Sequence, residues 1–251
     1  MSFDPVAIEQ ILKRDPIWSA YALADLEAEH QPHCTWLQAD QSLLLIYRAL
    51  EPPVLFMQGT PDEIVDIFLD VPGGRYQLSC LPEHLNALRD HIHTESISNM
   101  WRMAYSGLNE RMQEKELPVV RLNEENLPEI QELFAGHSDA PDAFLSAQLH
   151  SGIFYGVFDH QRLIAISGTH VRSPRYRLAA IGNVFTHPDY RGLGYASLIT
   201  QEVVDDLLAR GTETIVLNVV QSNRPAIKAY ERIGFQVHCE YVEGYGIRIK
   251  R

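Results

Sequence analysis

Cysteine is scarce. Cys34, Cys80 and Cys239 are the only thiols in 251 residues, and three widely spaced cysteines make no disulfide framework. Each reads as a small core residue in a chain suited to a reducing, cytoplasmic compartment. Long apolar runs are also missing. None approaches the roughly 20 residues needed to span a bilayer, and the N-terminus has no basic region leading into an apolar run, so no membrane partner or export signal is expected. Positive charge is in deficit, with 21 Lys and Arg against 33 Asp and Glu and a net charge of −12. That balance excludes a broad basic surface, and with it nonspecific nucleic-acid binding. It tilts slightly toward cationic or amine ligands, although solubility is the simpler reading. Metal-ligand clusters are lacking too. His30-x-x-His33-Cys34 and His91-x-His93 have no partner pair at a familiar spacing, and no metal is expected.

What is present is an ordinary globular composition, 45% hydrophobic and 22% charged, with one distinctive stretch. In 183–196, Asn-Val-Phe-Thr-His-Pro-Asp-Tyr-Arg-Gly-Leu-Gly-Tyr-Ala, an apolar strand passes through a glycine-rich turn into a helix expected over 195–210. Gly192 and Gly194 leave the turn backbone unshielded, and the first amides of the helix lack intrahelical partners. With the helix dipole and the Arg191 charge, the turn suits a phosphate or pyrophosphate. There is no Gly-Lys-Ser/Thr ending for a nucleotide loop, and the full dinucleotide spacing is absent.

Arg191-x-x-Gly194-x-Ala196 resembles the Gln/Arg-x-x-Gly-x-Gly/Ala turn of the GNAT superfamily of acyl-CoA-dependent N-acyltransferases. Downstream, Asn223, Ala226, Tyr230, Gly234 and Phe235 are similar to that family's Asn-x-x-Ala-x-x-x-Tyr-x-x-x-Gly-Phe segment. The resemblance covers the second half of the chain. It implies an N-acetyltransferase with acetyl-CoA as co-substrate and a primary amine as acceptor; a longer acyl chain, and a small-molecule, amino-acid or protein N-terminal acceptor, stay open. It further implies that the backbone of Val184, Phe185 and Thr186 pairs with the pantetheine arm, and that the amides of Arg191, Gly192, Leu193, Gly194, Tyr195 and Ala196 hold the pyrophosphate. Asn223 is expected both to cap its helix and to contact the cofactor. Tyr230, seven residues on and about 20° off the same helical face, is implied as cofactor-binding and as the acid that protonates the departing thiolate. No carboxylate lies in 177–186, where many members carry a glutamate base. His170, His187, a water chain and prior deprotonation of the amine remain as alternatives, and the missing carboxylate leaves a noncatalytic acyl-CoA-binding module as the rival reading.

Hydrophobic periodicity gives helices at 5–13, 16–28, 61–69, 82–92, 125–134, 140–149, 195–210 and 223–233. Strands are expected at 34–38, 43–49, 54–58, 75–80, 96–105, 117–122, 153–158, 163–171, 178–186, 214–219, 235–241 and 247–250. Thr60 is the expected cap of the helix that starts at Pro61. The two halves have nearly the same order of elements. The expected architecture is therefore α/β, a tandem GNAT-like fold with a mixed, mostly antiparallel sheet in each half. Residues 1–112 form a degenerate N-terminal domain, with Gln58-Gly59-Thr60-Pro61 in place of the phosphate turn, and 113–251 the acyl-CoA-binding domain. A polar connection is expected at 108–116. The resemblance places a split between strands 4 and 5 of the C-terminal half, and the order of a decayed half before an intact one is similar to glycine N-acyltransferase-like proteins.

Overall fold

A computed structural model of the protein describes residues 4–107, 116–141 and 144–249. Of the expected connection at 108–116, all but Glu116 falls outside these residues. Contacts gather the chain into two units that interleave in sequence. Met1–Arg102, Val220–Ser222 and Val237–Arg251 form one unit, and Met103–Val219 with Asn223–Gln236 form the other.

The first unit begins with α1 (Pro5–Leu12), whose first amides are capped by Asp4 Oδ1 at 3.0 Å from Val6 N. After α2 (Ala20–Ala24) come β1 (Cys34–Ala39), β2 (Ser42–Tyr47), β3 (Val54–Gln58), α3 (Pro61–Phe68), β4 (Gly74–Cys80), α4 (Pro82–Ala87) and β5 (Ile92–Tyr105). The final strand of the chain, β11 (Phe235–Arg248), pairs antiparallel with β4 from Val242 opposite Cys80 to Arg248 opposite Gly74. This pairing brings the C-terminus into the first unit, whose strand order is β1-β2-β3-β4-β11-β5. The two closing strands expected at 235–241 and 247–250 are thus one. At Gly244, between the two expected runs, an added Cβ would lie 1.9 Å from Ser96 O, so glycine there allows a close approach of two strands. Thr60 makes no side-chain cap for α3. Its own amide instead donates to Ser42 Oγ at 2.9 Å, and Ser42 Oγ donates to Glu63.

The second unit holds β6 (Val119–Leu122), α5 (Leu127–Phe134), α6 (Ala147–Ser151), β7 (Phe154–Asp159), β8 (Arg162–Ser173), β9 (Leu178–Thr186), α7 (Tyr195–Ala209), β10 (Thr214–Val220) and α8 (Arg224–Ile233). Its strand order is β10-β9-β8-β7-β6, antiparallel except for the parallel β9–β10 pair. Helix α5 packs Ile130 and Leu133 with Leu122, Phe154, Ile166 and Phe185, while α7 packs Ile199 with Val157, Ile164 and Ala165. A helix expected over 140–149 is present only as α6, and Asp142 and Ala143 lie outside the described residues. No helix among the described residues is long and apolar enough to cross a membrane.

Candidate active site

The parallel pairing of β9 with β10 runs only from Leu178 opposite Thr214 to Ile181 opposite Leu217. Beyond it, 182–186 keep a partner on β8 alone, so the fourth and fifth strands of this unit part at Ile181. A bulge lies at that point: between Gly168 opposite Gly182 and Ile166 opposite Phe185, β8 advances two residues and β9 three. Asn183, inside that bulge, has φ +54°, a left-handed conformation that asparagine tolerates better than most residues.

Antiparallel alternation then decides which backbone groups face the gap. His187 N donates to Ile164 O at 2.8 Å and Phe185 lies opposite Ile166, so Phe185 directs both backbone groups to β8. Thr186 and the Val184 carbonyl face the other way. Thr186 O is taken by Arg191 Nε at 2.9 Å. The open edge therefore includes Val184 C=O and Thr186 N–H. Phe185 contributes a buried ring, edge-on to Phe134 and tilted against His137, with the Arg191 guanidinium 5.4 Å above it.

The turn after β9 has the conformation its glycines suggest. Gly192 has φ +78° and Gly194, the N-cap of α7, has φ +84°. No side chain caps this helix and no acidic residue occupies its first turn. Leu198 N bonds Gly194 O, which leaves the amides of Tyr195, Ala196 and Ser197 ahead of the hydrogen-bonded ladder. Around a Cβ added at Gly192 nothing lies within 4 Å, so the turn is open on that side. The Arg191 charge stands beside the turn as part of an ion pair: its Nη2 pairs with Asp139 Oδ2 at 2.8 Å and its Nε holds Thr186 O, so the side chain braces the turn against β9. Tyr195 keeps only its backbone at the turn, because its ring is buried with Val157, Ile164 and Ile199.

At the start of α8, Asn223 Oδ1 accepts from Ala226 N at 3.2 Å, a helix cap that holds the side chain in place. Tyr230 lies in the same helix, 8% exposed, with its ring 6.2 Å from Phe235. Its hydroxyl has no hydrogen-bond partner among the described residues, and burial pushes its pKa up to about 12. It is a protonated phenol at neutral pH. His187 is buried. Its Nε2 accepts from Arg162 Nη2 at 2.8 Å and its Nδ1 lies 3.3 Å from Asp189 N, while burial and the Arg162 charge lower its pKa. Among the described residues, no group of three or more His, Cys, Asp or Glu could hold a metal. A hollow of about 280 Å³ lined by Glu124, Leu127, Ser146, Ala147 and Leu149 includes none of the site residues. An open strand edge is a slot for an extended ligand and not a rounded cavity.

Against this geometry, residues 119–235 match the Acetyltransferase (GNAT) family, whose members are acyltransferase enzymes. A 57-residue stretch is 37% identical to the [Ribosomal protein bS18]-alanine N-acetyltransferase of Escherichia coli K12, covering 23% of this chain and 38% of that protein. Another, of 58 residues, is 34% identical to the mycothiol acetyltransferase of Corynebacterium aurimucosum, covering 22% and 19%. The chain thus spans well under half the length of these curated relatives. Over nearly its whole length, the fold is similar to two solved structures described as GNAT-family acetyltransferases. One, from Novosphingobium aromaticivorans, has TM-score 0.62 and 22% identity and covers 94% of this chain and 97% of its own. The other, from Colwellia psychrerythraea, has TM-score 0.58 and 14% identity and covers 99% and 98%.

Proposed function

We propose that this protein, whose residues 119–235 form a GNAT-family segment, transfers an acetyl group from acetyl-CoA to a primary amine by direct attack. The observation that carries the reading is the unpaired edge of β9 at Val184 and Thr186, continuous with a helix N-terminus that no side chain caps. An extended amide-bearing arm can pair with that edge as an added strand, and a pyrophosphate suits the amides from Gly192 to Ser197. Asn223 holds the arm through the amide nitrogen its cap leaves over. Bound acetyl-CoA supplies an activated thioester. Tyr230, kept protonated by burial, donates its proton to the departing thiolate. The acceptor is a small molecule, an amino acid or a protein N-terminus. The protein acts in the cytoplasm.

The first unit fits a degenerate copy. It too has a parallel pair, β3–β4, with a helix between, and a glycine turn at Gly59. There, however, Ser42 and Glu63 close the start of α3, Asp62 and Glu63 fill its first turn with negative charge, and Trp18 Nε1 donates to Met57 O at 3.2 Å. Such a helix start repels phosphate.

The test is a calorimetric titration with acetyl-CoA and CoA on wild type, Gly192→Asn and Gly192→Asp. Asn and Asp both tolerate the left-handed backbone, and position 192 has open space around its Cβ, so the pair differs by one charge at the turn. Micromolar binding that survives in Asn and falls at least tenfold in Asp supports the site; no wild-type binding refutes it. Binding without thiol release across an amine panel would leave a noncatalytic acyl-CoA-binding module.

A further inference from the structure

The bulge that opens β9 has a holder outside the strand. Gln148, in α6, spans two bulges with one amide group. Its Oε1 accepts from Asn183 Nδ2 at 3.1 Å and its Nε2 donates to His170 O, also at 3.1 Å. Between Thr169 opposite Ile181 and Val171 opposite Ala180, β8 advances two residues while β9 moves one, which makes His170 the extra residue of β8. Asn183 occupies the corresponding bulge of β9. The two irregularities flank Ile181 and Gly182, where β9 leaves β10. Gly182 lets them stack, since a Cβ there would lie 2.8 Å from His170 Cβ. Gln148 Oε1 also accepts from Leu145 N at 3.1 Å, which fixes the amide orientation.

We infer that Gln148 is a positioning residue for the acyl-CoA slot: its amide holds Asn183 in the left-handed bulge that turns Val184 and Thr186 away from β10. The inference rests on the proposed acyl-CoA reading. Asn183 is 7% exposed, so losing its partner would leave a buried amide unpaired in a conformation that already costs free energy. Relaxation of φ toward the extended region would let β9 continue alongside β10 and close the edge. Gln148 is itself half-buried on a short helix, so its removal acts through the bulge and not through the core.

The experiment uses Gln148→Met, Asn183→Ala and Asn183→Gly, alone and combined, with acetyl-CoA affinity by calorimetry, melting temperature, and the amide resonance of residue 183 by NMR. Gln148→Met and Asn183→Ala should each weaken acetyl-CoA binding about tenfold and shift the residue-183 resonance, with no further loss in the double variant. Glycine adopts φ +54° without help. Asn183→Gly should therefore bind nearly as wild type, and adding Gln148→Met to it should change nothing. That rescue is the outcome a purely structural role would not give. Equal loss from Gln148→Met with asparagine or with glycine at position 183, or wild-type affinity in Gln148→Met, overturns the inference. If wild type binds no acetyl-CoA, the acyl-CoA reading fails on its own, and the residue-183 resonance still decides: an unchanged shift in Gln148→Met overturns the role of Gln148 in holding the bulge.

Discussion

Tyr230→Phe removes one oxygen and nothing else that the fold uses. The ring stays against Phe235, and the hydroxyl has no partner among the described residues, so its loss orphans no buried group. Stability should change by less than about 0.5 kcal/mol, a shift in Tm of about 1–2 °C. Acetyl-CoA affinity should stay within about twofold. Turnover should not. A positioned general acid contributes on the order of 10² or more in rate, or about 2.7 kcal/mol at 1.36 kcal/mol per decade. The pKa sharpens the test. Burial holds the Tyr230 phenol at about 12, so at pH 9 only about one molecule in a thousand has lost that proton. Wild-type kcat should therefore show no basic limb from this group up to pH 9, and the ratio of wild-type kcat to that of Tyr230→Phe should be flat between pH 6 and 9. Stopped-flow thiol release with an amine acceptor measures both. A Phe variant with unchanged kcat, or a ratio that collapses near neutral pH, would refute the assignment.

Asp25 gives a stability prediction with a definite sign. Burial raises its carboxyl pKa from 3.8 to about 7, so the native state keeps a proton that the unfolded chain releases, and stability falls as pH rises from about 4 to 7. Asp25→Asn should be neutral at pH 4 and stabilising at pH 8, by at most about 4 kcal/mol for a shift of about three units; equal gains in denaturant midpoint at both pH values would remove the buried-acid explanation. Trp18→Phe takes the indole N–H from Met57 O and should cost about 1–3 kcal/mol in urea unfolding. It should leave acetyl-CoA binding at one site per chain with unchanged affinity, and a second binding event in wild type or variant would contradict a degenerate first unit.

Strand and turn chemistry makes much of this legible in the sequence. Two strands, Val54–Gln58 and Leu178–Thr186, lie at the expected bounds, because proline or glycine punctuates the apolar runs around them. The turn at Gly192 and Gly194 is readable because few residues other than glycine adopt positive φ twice in three positions. What escapes is non-local. Nothing near 235–248 states that this segment pairs with 74–80, so the interleaving of the two units has no local signature. Arg191 looks like a ligand-facing charge because its partners, Asp139 and Thr186 O, are brought to it by folding. Asn183 reads as an ordinary strand residue; an asparagine within an apolar run is the one available hint of a left-handed bulge.

The acceptor side raises the question of what removes the proton from the amine. His187 is the wrong answer on geometry. Arginine only donates, so Arg162 at Nε2 requires that nitrogen to be an acceptor already engaged, and protonating it would set two cations 2.8 Å apart. Its Nδ1 faces the Asp189 backbone N–H at 3.3 Å, so neither ring nitrogen is open to an incoming amine. β9 itself carries no carboxylate. Under the proposed reaction, the amine is expected to reach the thioester already neutral, having lost its proton to water. The consequence is measurable: kcat/KM for an amine acceptor should rise about tenfold per pH unit until the pKa of that amine, and the break should move when the acceptor is exchanged for one of lower pKa. A break fixed near about pH 6–7 for every acceptor would instead reveal an ionising base in the protein.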